Sequence, residues 1–189
     1  SSTKTLMRLY DSGDSIQIGA NAGYTSGTAA NISIGSSACF YPSGANNISI
    51  GNNALQGSGT ANSNGNVAIG QNSLKDVLDA RRNVAIGQES GANVTGGDNN
   101  TLLGAYAGDN LTTGSDNIII GYLVDASSAT VSNELRIGNG TTIPLSADLS
   151  TGAVTINSAY TLPTADSGVA GYVLTSDAAG AVTWAAAGG

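Results

Sequence analysis

The sequence Asn-Val-Ala-Ile-Gly occupies residues 66–70 and recurs unchanged at residues 83–87, and close variants occur along most of the chain. Eight copies end in a glycine: Gly19, Gly35, Gly51, Gly70, Gly87, Gly104, Gly121 and Gly138. The intervals between these glycines are 16, 16, 19, 17, 17, 17 and 17 residues. A fixed period with one residue type at each turn is typical of stacked repeat proteins. We therefore expect residues 15–138 to form a rod in which each repeat contributes one coil.

Each copy predicts a short β-strand. The residue before the glycine is Ile or Leu in all eight copies, and the residue three before it is Ile, Val, Leu or Thr. These two columns are two residues apart, so in a strand they point to the same face. We interpret this aliphatic face as the interior of the coil. A small residue recurs three positions after the glycine in the first six copies, which indicates a narrow interior.

An asparagine stands four residues before the glycine in the six internal copies. Asparagines stacked at one corner of successive coils can form a hydrogen-bonded ladder that satisfies backbone groups in the turns. The first and last copies have Ser15 and Glu134 instead, and irregular end repeats are what a finite stack requires. The predicted ladder consists of Asn31, Asn47, Asn66, Asn83, Asn100 and Asn117.

The column two residues before the glycine changes character along the chain. It begins with Gln17, Ser33 and Ser49 and then becomes apolar. Strand alternation places this column on the face opposite the aliphatic pair, and a coil this short has a single interior. We therefore predict that the apolar part of the column is buried against another chain or against a later segment of this one, and we favour another chain. That part consists of Ala68, Ala85, Leu102 and Ile119.

Composition excludes several classes of function. The net charge is −7 with six Lys and Arg in total, so we predict no nucleic-acid partner. No apolar run is long enough to cross a membrane, and we predict no membrane insertion. The chain has no histidine, which removes His-based catalysis and His metal ligands, and we predict neither a metal nor a cofactor. The single cysteine, Cys39, is interpreted as a small buried hydrophobic residue.

The 13 acidic residues leave a carboxylate pair of the glycosidase type as the serious enzymatic possibility. Asp98 and Asp116 occupy nearly equivalent turn positions, and Asp76 and Asp79 lie close together in one segment. A saccharide-cleaving groove also needs stacking aromatics, and the aromatics here are scattered along the sequence. We therefore interpret these aspartates as turn residues and solvated charge, and predict no enzymatic activity.

Two further segments flank the repeats. Residues 1–14 are a lead-in whose alternating pattern predicts an edge strand, and residues 139–189 lose the period. Within the second segment, short strands are predicted at residues 153–156, 171–175 and 181–184, separated by turn residues.

Three interruptions of the repeat are candidates for binding, because insertions in a solenoid map to its outer surface. They are residues 40–41, residues 57–65 and residues 74–82, of which the last has apolar residues at helical spacing. Aromatic side chains give a large contact area at low entropic cost. Phe40 and Tyr41 are therefore the predicted receptor-contacting residues.

The repeats resemble those of two groups of fibrous proteins. Asn-Val-Ala-Ile-Gly is similar to the head repeats of trimeric autotransporter adhesins, which are left-handed parallel β-rolls. The period here is longer, and Ala-Tyr-Ala-Gly at 105–108 with Thr-Thr-Gly-Ser-Asp-Asn at 112–117 resembles repeats of bacteriophage tail fibres more closely. Residues 160–166 and 171–184 resemble the segment that precedes the intramolecular chaperone domain of phage fibres and tailspikes.

This resemblance implies an all-β, parallel β-roll of about eight short coils that forms a homotrimer, with residues 139–189 as a β-rich trimerisation segment. The trimer interface would then consist of Ala68, Ala85, Leu102, Ile119 and Trp184. The implied function is that of a structural and adhesive segment of a phage tail fibre, in the virion and extracellular. Its partners would be other tail proteins and a host cell-surface receptor, either a glycan or an outer-membrane component. The alternatives are the head of a bacterial trimeric surface adhesin and a tailspike-type polysaccharide hydrolase.

Overall fold

The computed structural model describes residues 7–10, 15–23, 30–41, 44–57, 63–157, 160–162, 172–176 and 182–186. Within these residues it contains fourteen β-strands and no helix. The strands are β1 (Arg8–Tyr10), β2 (Ser15–Ile18), β3 (Ile32–Ile34), β4 (Ile48–Ile50), β5 (Val67–Ile69), β6 (Val84–Ile86), β7 (Thr101–Leu103), β8 (Ile118–Ile120), β9 (Glu134–Asn139), β10 (Thr142–Asp148), β11 (Ala153–Ile156), β12 (Tyr160–Leu162), β13 (Tyr172–Ser176) and β14 (Val182–Ala186).

Strands β1–β12 form one sheet in which they follow each other in sequence order, and β2–β9 are its parallel part. Each repeat returns to the same register, so Ile48 pairs with Val67 and Val67 pairs with Val84. The chain is therefore an all-β solenoid of about six turns. This is fewer than the eight coils expected, and β2 and β9 each pair on their outer side with an antiparallel strand.

The glycine column ends each strand at a sharp corner. Gly51 has a φ of +137° and Gly70 has a φ of +133°, a region that residues with a side chain rarely adopt. A Cβ added at Gly51 would lie 2.5 Å from the carbonyl oxygen of Gly70 in the next coil. The backbone conformation and the close approach of the next coil thus both require glycine, which explains why it recurs in every repeat.

The interior is lined by the column two residues before the glycine and not by the aliphatic pair. Ala68, Ala85, Leu102 and Ile119 are all 0% exposed in the single chain, whereas the aliphatic residues that flank them, such as Ile86, are only half-buried. The predicted facing of the strands was therefore wrong. The placement of these four residues at a trimer interface was wrong as well, because the chain itself encloses them.

Two facing positions of each coil share one interior space, and where the turn position is small the strand position is large. This explains why the column two residues before the glycine becomes apolar. The position four residues after the glycine faces the same interior, and it is occupied by the buried Leu74 in one coil but by Gly91 and Gly108 in the next two. A Cβ added at Gly91 would lie 2.5 Å from Cδ1 of Leu102, and one at Gly108 would lie 3.2 Å from Cδ1 of Ile119. Large strand residues therefore fill the volume that a large turn residue fills elsewhere.

Small residues three positions after the glycine confirm the predicted narrow interior. Ala54 and Ala107 are completely buried. In the coils between them, the Ser73 hydroxyl donates to the carbonyl of Ala85 at 2.9 Å and the Ser90 hydroxyl donates to the carbonyl of Leu102 at 2.9 Å. A small side chain here lets the turn approach the opposing strand closely enough for these bonds.

Residues 74–82 do not form the helix-like insert that their spacing suggested. They form successive turns, with Val77 fully buried and Leu78 45% exposed. Val94 and Leu111 lie seven residues after their own glycines, as Val77 does, and are also fully buried. The helical spacing therefore comes from a turn that these 17-residue coils share, in which the residue seven positions after the glycine is apolar and buried.

Antiparallel strands flank the solenoid. Strand β1 pairs with β2, as expected for an edge strand in the lead-in, and β9–β12 form successive antiparallel pairs. The strand predicted at residues 153–156 coincides with β11, and those predicted at 171–175 and 181–184 overlap β13 and β14. Strands β10 and β12 were not predicted. At the end of the solenoid, Arg136 pairs with Glu134 at 3.3 Å and lies beside Ile119 in register, so a polar pair ends the apolar column.

The buried position of Ile119 leads to a first prediction. Replacing Ile119 by Ala should lower the free energy of unfolding by about 2–5 kcal/mol, because the enclosed side chain leaves a cavity. Leu123→Ala, which removes a side chain that is 43% exposed in the following turn, should change it by less than about 0.5 kcal/mol. Urea denaturation followed by circular dichroism at one protein concentration measures both, and equal losses would contradict the interior placement.

Candidate functional site

The six predicted asparagines form a buried ladder along one corner of the solenoid. In its centre, the Asn100 backbone N–H donates to Oδ1 of Asn83 at 2.8 Å, and its side-chain amide donates to the same oxygen and to the carbonyl of Gly114 at 3.0 and 2.9 Å. Oδ1 of Asn100 in turn accepts from the backbone and the side chain of Asn117 at 3.0 and 2.9 Å. The same pattern joins Asn31, Asn47, Asn66, Asn83, Asn100 and Asn117.

The ladder runs from the first strand of the solenoid to the last, and its amide groups are bonded within the protein. At one end the Asn31 N–H donates to the Ser15 hydroxyl at 3.2 Å, and at the other the Glu134 N–H donates to Oδ1 of Asn117 at 2.9 Å. Because the amide groups bond to neighbouring coils and are buried, the row holds the coils together and offers no surface for a ligand.

Asn100→Asp tests the ladder with almost no change in shape. The introduced carboxylate can still accept from Asn117, but it places an oxygen where the amide donated to Asn83 and Gly114. We expect the free energy of unfolding at neutral pH to fall by about 3 kcal/mol or more, because the substitution buries a carboxylate and removes the hydrogen bonds that the side-chain amide donated. The loss should shrink in acid, where the carboxyl is protonated and can donate again. Asn52→Asp on the exposed turn is the matched control and should have little effect in chemical denaturation; equal losses would argue against the ladder.

The predicted receptor-contact residues lie in the turn after β3. Phe40 is partly buried and Tyr41 is 40% exposed, and their rings meet edge to face with centroids 4.0 Å apart. The carbonyl of Phe40 accepts from the N–H of Gly57 at 3.1 Å. The segment at residues 57–65 continues into residues 58–62, which lie outside the described part of the chain. Receptor contact by Phe40 and Tyr41 stays a prediction.

Two other residues singled out in the sequence have defined places. Trp184 lies in β14 opposite Leu174 of β13, and its place in a trimer interface stays a prediction. Cys39 is fully buried, and desolvation raises the pKa of its thiol to about 11. The thiol is therefore protonated and enclosed, which confirms its interpretation as a small buried hydrophobic residue.

An open cleft of about 400 Å³ lies where the last coil meets β10 and β11. Glu134 and Asp148 line it and lie directly opposite each other in the β9–β10 register. The side-chain and backbone hydrogen bonds from Ser150 lower the pKa of Asp148 below its ordinary value. Glu134 pairs with Arg136 at 3.3 Å, and Oδ1 of Asp148 accepts from the backbone N–H of Ser150 at 2.8 Å. The contacts favour a structural role for this pair.

The aspartates noted in the sequence hold turns. Oδ1 of Asp98 accepts from the backbone N–H of Arg81 at 2.8 Å, and Oδ1 of Asp116 accepts from the side chain of Asn99 at 3.0 Å. Asp79 pairs with the Arg81 guanidinium at 2.8 Å. These contacts match the interpretation of the aspartates as turn residues and surface charge.

A cluster that sequence analysis missed lies on the turns after β6, β7 and β8. The rings of Tyr106 and Tyr122 meet at 83° with centroids 6.4 Å apart, and the Gln88 side-chain amide donates to the Tyr106 hydroxyl at 3.0 Å. Each tyrosine is followed three residues later by an aspartate, Asp109 or Asp125. The signal that could have found the cluster is therefore Tyr-X-X-Asp in two successive repeats.

The two aspartates of the cluster interact. Desolvation raises the pKa of Asp109 to about 6, and a hydrogen bond with Asp125 and the negative charges of Asp125 and Glu89 act in the same direction. In the part of the chain that the structure describes, the ion pairs of Lys and Arg involve carboxylates outside this cluster. The cluster is thus a concentrated negative charge beside two aromatic rings.

The raised pKa of Asp109 predicts a pH-dependent stability. The proton on Asp109 stabilises the folded state fully below the ordinary pKa of 3.8, and that contribution is lost as the pH rises through about 6. Asp109→Asn, which keeps a neutral side chain, should therefore raise the melting temperature at about pH 8 and leave it nearly unchanged at about pH 3. Asp76→Asn, at a carboxylate 3.9 Å from the Lys75 ammonium, should show no such gain. A gain of equal size at both pH values would contradict the assignment.

Comparisons of the chain with protein-family models, with curated proteins and with solved structures found no match. Among the described residues, none belongs to a helix long and apolar enough to span a membrane. No group of three or more Cys, Asp or Glu side chains in that same part of the chain is arranged to hold a metal ion. Function therefore has to be argued from the surfaces of the solenoid itself.

Proposed function

We propose that this chain is a structural and adhesive segment of a phage tail fibre and that it functions as a homotrimer. The observation that carries the proposal is an aliphatic surface on the outside of the parallel sheet, which we call the outer-face stripe. It consists of the residues one and three positions before each glycine in β2–β8: Ile16, Ile18, Ile32, Ile34, Ile48, Ile50, Val67, Ile69, Val84, Ile86, Thr101, Leu103, Ile118 and Ile120.

The outer-face stripe is continuous and uncharged. Thirteen of its fourteen residues are aliphatic, and none is fully buried in the single chain; Leu103 is 42% exposed. Charge is plentiful elsewhere, since the chain has 19 charged residues (6 basic and 13 acidic). Monomeric proteins rarely leave a contiguous apolar surface of this kind in water, because covering it is strongly favourable.

A second copy of the chain fits this surface better than an unrelated partner does. The stripe repeats with the spacing of neighbouring strands, about 4.7–4.9 Å. Only a surface with the same repeat can stay in contact with it coil after coil, and another copy lying parallel has that repeat. The stoichiometry of three, and the assignment to a tail fibre, rest on the resemblance of the repeats and of residues 160–184 to trimeric phage fibres.

The adhesive part of the proposal follows from geometry. A rod that joins copies through its sheet leaves its turns facing outward, and outward turns of a solenoid are where partners bind. The receptor would be a host-surface glycan or outer-membrane component, and other tail proteins would bind the ends of the rod. A bacterial adhesin head would share the trimer but would be followed by a membrane anchor, so the gene sequence beyond residue 189 distinguishes the two classes.

Ile69→Asp tests the interface directly. Ile69 lies on β5, in the middle of the outer-face stripe, and a carboxylate there would be buried without a partner on association. We expect the unmodified chain to sediment as a trimer and the variant to sediment as a monomer. Circular dichroism should show that the variant keeps its β-structure, because the side chain does not contribute to the enclosed core.

Asn52→Asp is the control for added charge, because Asn52 lies on an exposed turn one coil away, and it should leave the trimer intact. A monomeric mass for the unmodified chain would refute the proposed assembly. A trimer that persists in the Ile69→Asp variant would show that the stripe is not the interface.

A further inference from the structure

The cluster on the turns after β6–β8 brings two aromatic rings together with amide and carboxyl side chains. We call Gln88, Tyr106, Asp109, Tyr122 and Asp125 the tyrosine–aspartate patch. The two rings stand almost perpendicular, at 83°, so that one ring can form the floor of a shallow corner and the other its wall. Tyr122 is 53% exposed, which leaves much of its surface free for a partner.

The polar groups beside the rings are held in place. The bond from Gln88 to the Tyr106 hydroxyl is 3.0 Å long and uses one hydrogen of the side-chain amide, and an amide group also has a second N–H donor and an oxygen acceptor. Asp109 and Asp125 share a hydrogen bond and follow residues joined by the 2.8 Å bond between the Gly108 N–H and the Val124 carbonyl. Backbone pairing between coils therefore fixes the two carboxyl groups side by side.

The patch is confined to one part of the rod. At the first position after the glycine, the earlier coils have small or amide side chains, namely Ala20, Ser36, Asn52 and Gln71, and only the coil after β8 has an aromatic residue, Tyr122. Tyr122 lies one residue beyond the glycine corner, where the chain leaves the strand that carries the outer-face stripe. The patch therefore breaks an otherwise uniform surface on a side that chain association would leave open.

The geometry points to a binding site for an uncharged saccharide at the tyrosine–aspartate patch. An aromatic ring packs against the apolar C–H face of a sugar while its hydroxyl group stays polar. The carboxylates and the amide can accept or donate hydrogen bonds to sugar hydroxyls, which fix orientation. Negative charge on Asp109, Asp125 and Glu89 would repel acidic sugars and phosphates, which restricts the class to uncharged saccharides. This inference rests on the proposed function, since it names the ligand class for the adhesive surface.

The experiment is a titration of the trimer with the methyl glycosides of glucose, galactose, mannose and N-acetylglucosamine, followed by NMR of ¹³C-labelled tyrosine rings. We expect at least one glycoside to shift the signals of Tyr106 and Tyr122 and to saturate. In the Tyr122→Ala variant the affinity should fall about tenfold or more, because the exposed ring supplies the stacking surface. Leu149→Ala, which removes a side chain that is 42% exposed and lies outside the patch, is the control, and it should bind the same glycoside with unchanged affinity.

Three results would overturn the site. They are the absence of saturation with all four glycosides, equal losses of affinity in the Tyr122→Ala and Leu149→Ala variants, and saturation by tetramethylammonium chloride but by no glycoside, which would make the patch a cation site. Binding of the trimer to host cells is measured separately. If Tyr122→Ala trimers bind cells as well as unmodified trimers do, the patch is not the site of adhesion, and the adhesive function stands. If unmodified trimers bind no cells, the proposed adhesive function is refuted, whatever the NMR titration shows.

Discussion

The asparagine ladder is the interaction on which the rest of the structure depends. Each internal asparagine bonds to the coil before it and the coil after it, and also closes its own corner onto a turn carbonyl. Since the bonds lie at one corner, they fix the segment from asparagine to glycine and leave the rest of the coil free in length. That explains how intervals of 16, 17 and 19 residues coexist in one stack with unbroken register. The extra residues fall between the glycine of one copy and the asparagine of the next.

Fixed register also decides which side chains are enclosed. The asparagine immediately precedes a three-residue strand, and it lies on the same face as the residue two positions after it, so both are buried. The enclosed space is narrow, which is why it alternates between a large strand residue such as Leu102 and a large turn residue such as Leu74. The aliphatic residues on either side are then turned outward. The ladder thus decides which residues face outward, and because these residues are aliphatic, covering them is the physical reason for proposing association.

The sequence predicted the period, the strands, the ladder and the burial of Cys39, because each depends on a single column whose residue type is restricted. It did not predict the facing of the strands. Aliphatic residues on both sides of a small one, such as Ile48 and Ile50 around Ser49, suggest that the aliphatic pair faces the interior. The ladder decides otherwise, because the buried Asn47 is on the same face as Ser49 and therefore places Ser49 inside. The tyrosine–aspartate patch was missed for another reason. Tyr106 lies two residues after its glycine and Tyr122 one residue after its own, so no column contains both rings.

A rod of uniform repeats and a selective binding surface require different side chains on the turns. A uniform stack is easily extended, but its repeated turns present the same few small polar groups and offer little that distinguishes one partner from another. In the proposed trimer the sheets face each other, so any selective contact has to come from turns at which the columns change. The tyrosine–aspartate patch is such a place, and it is built without an insertion, by substitutions in coils that keep their register. Three copies around one axis would let a weak contact of this kind bind a repetitive surface with useful avidity. The outward side chains of the turns can vary in this way, because the coils are joined by the buried ladder and by the buried residues of the turns.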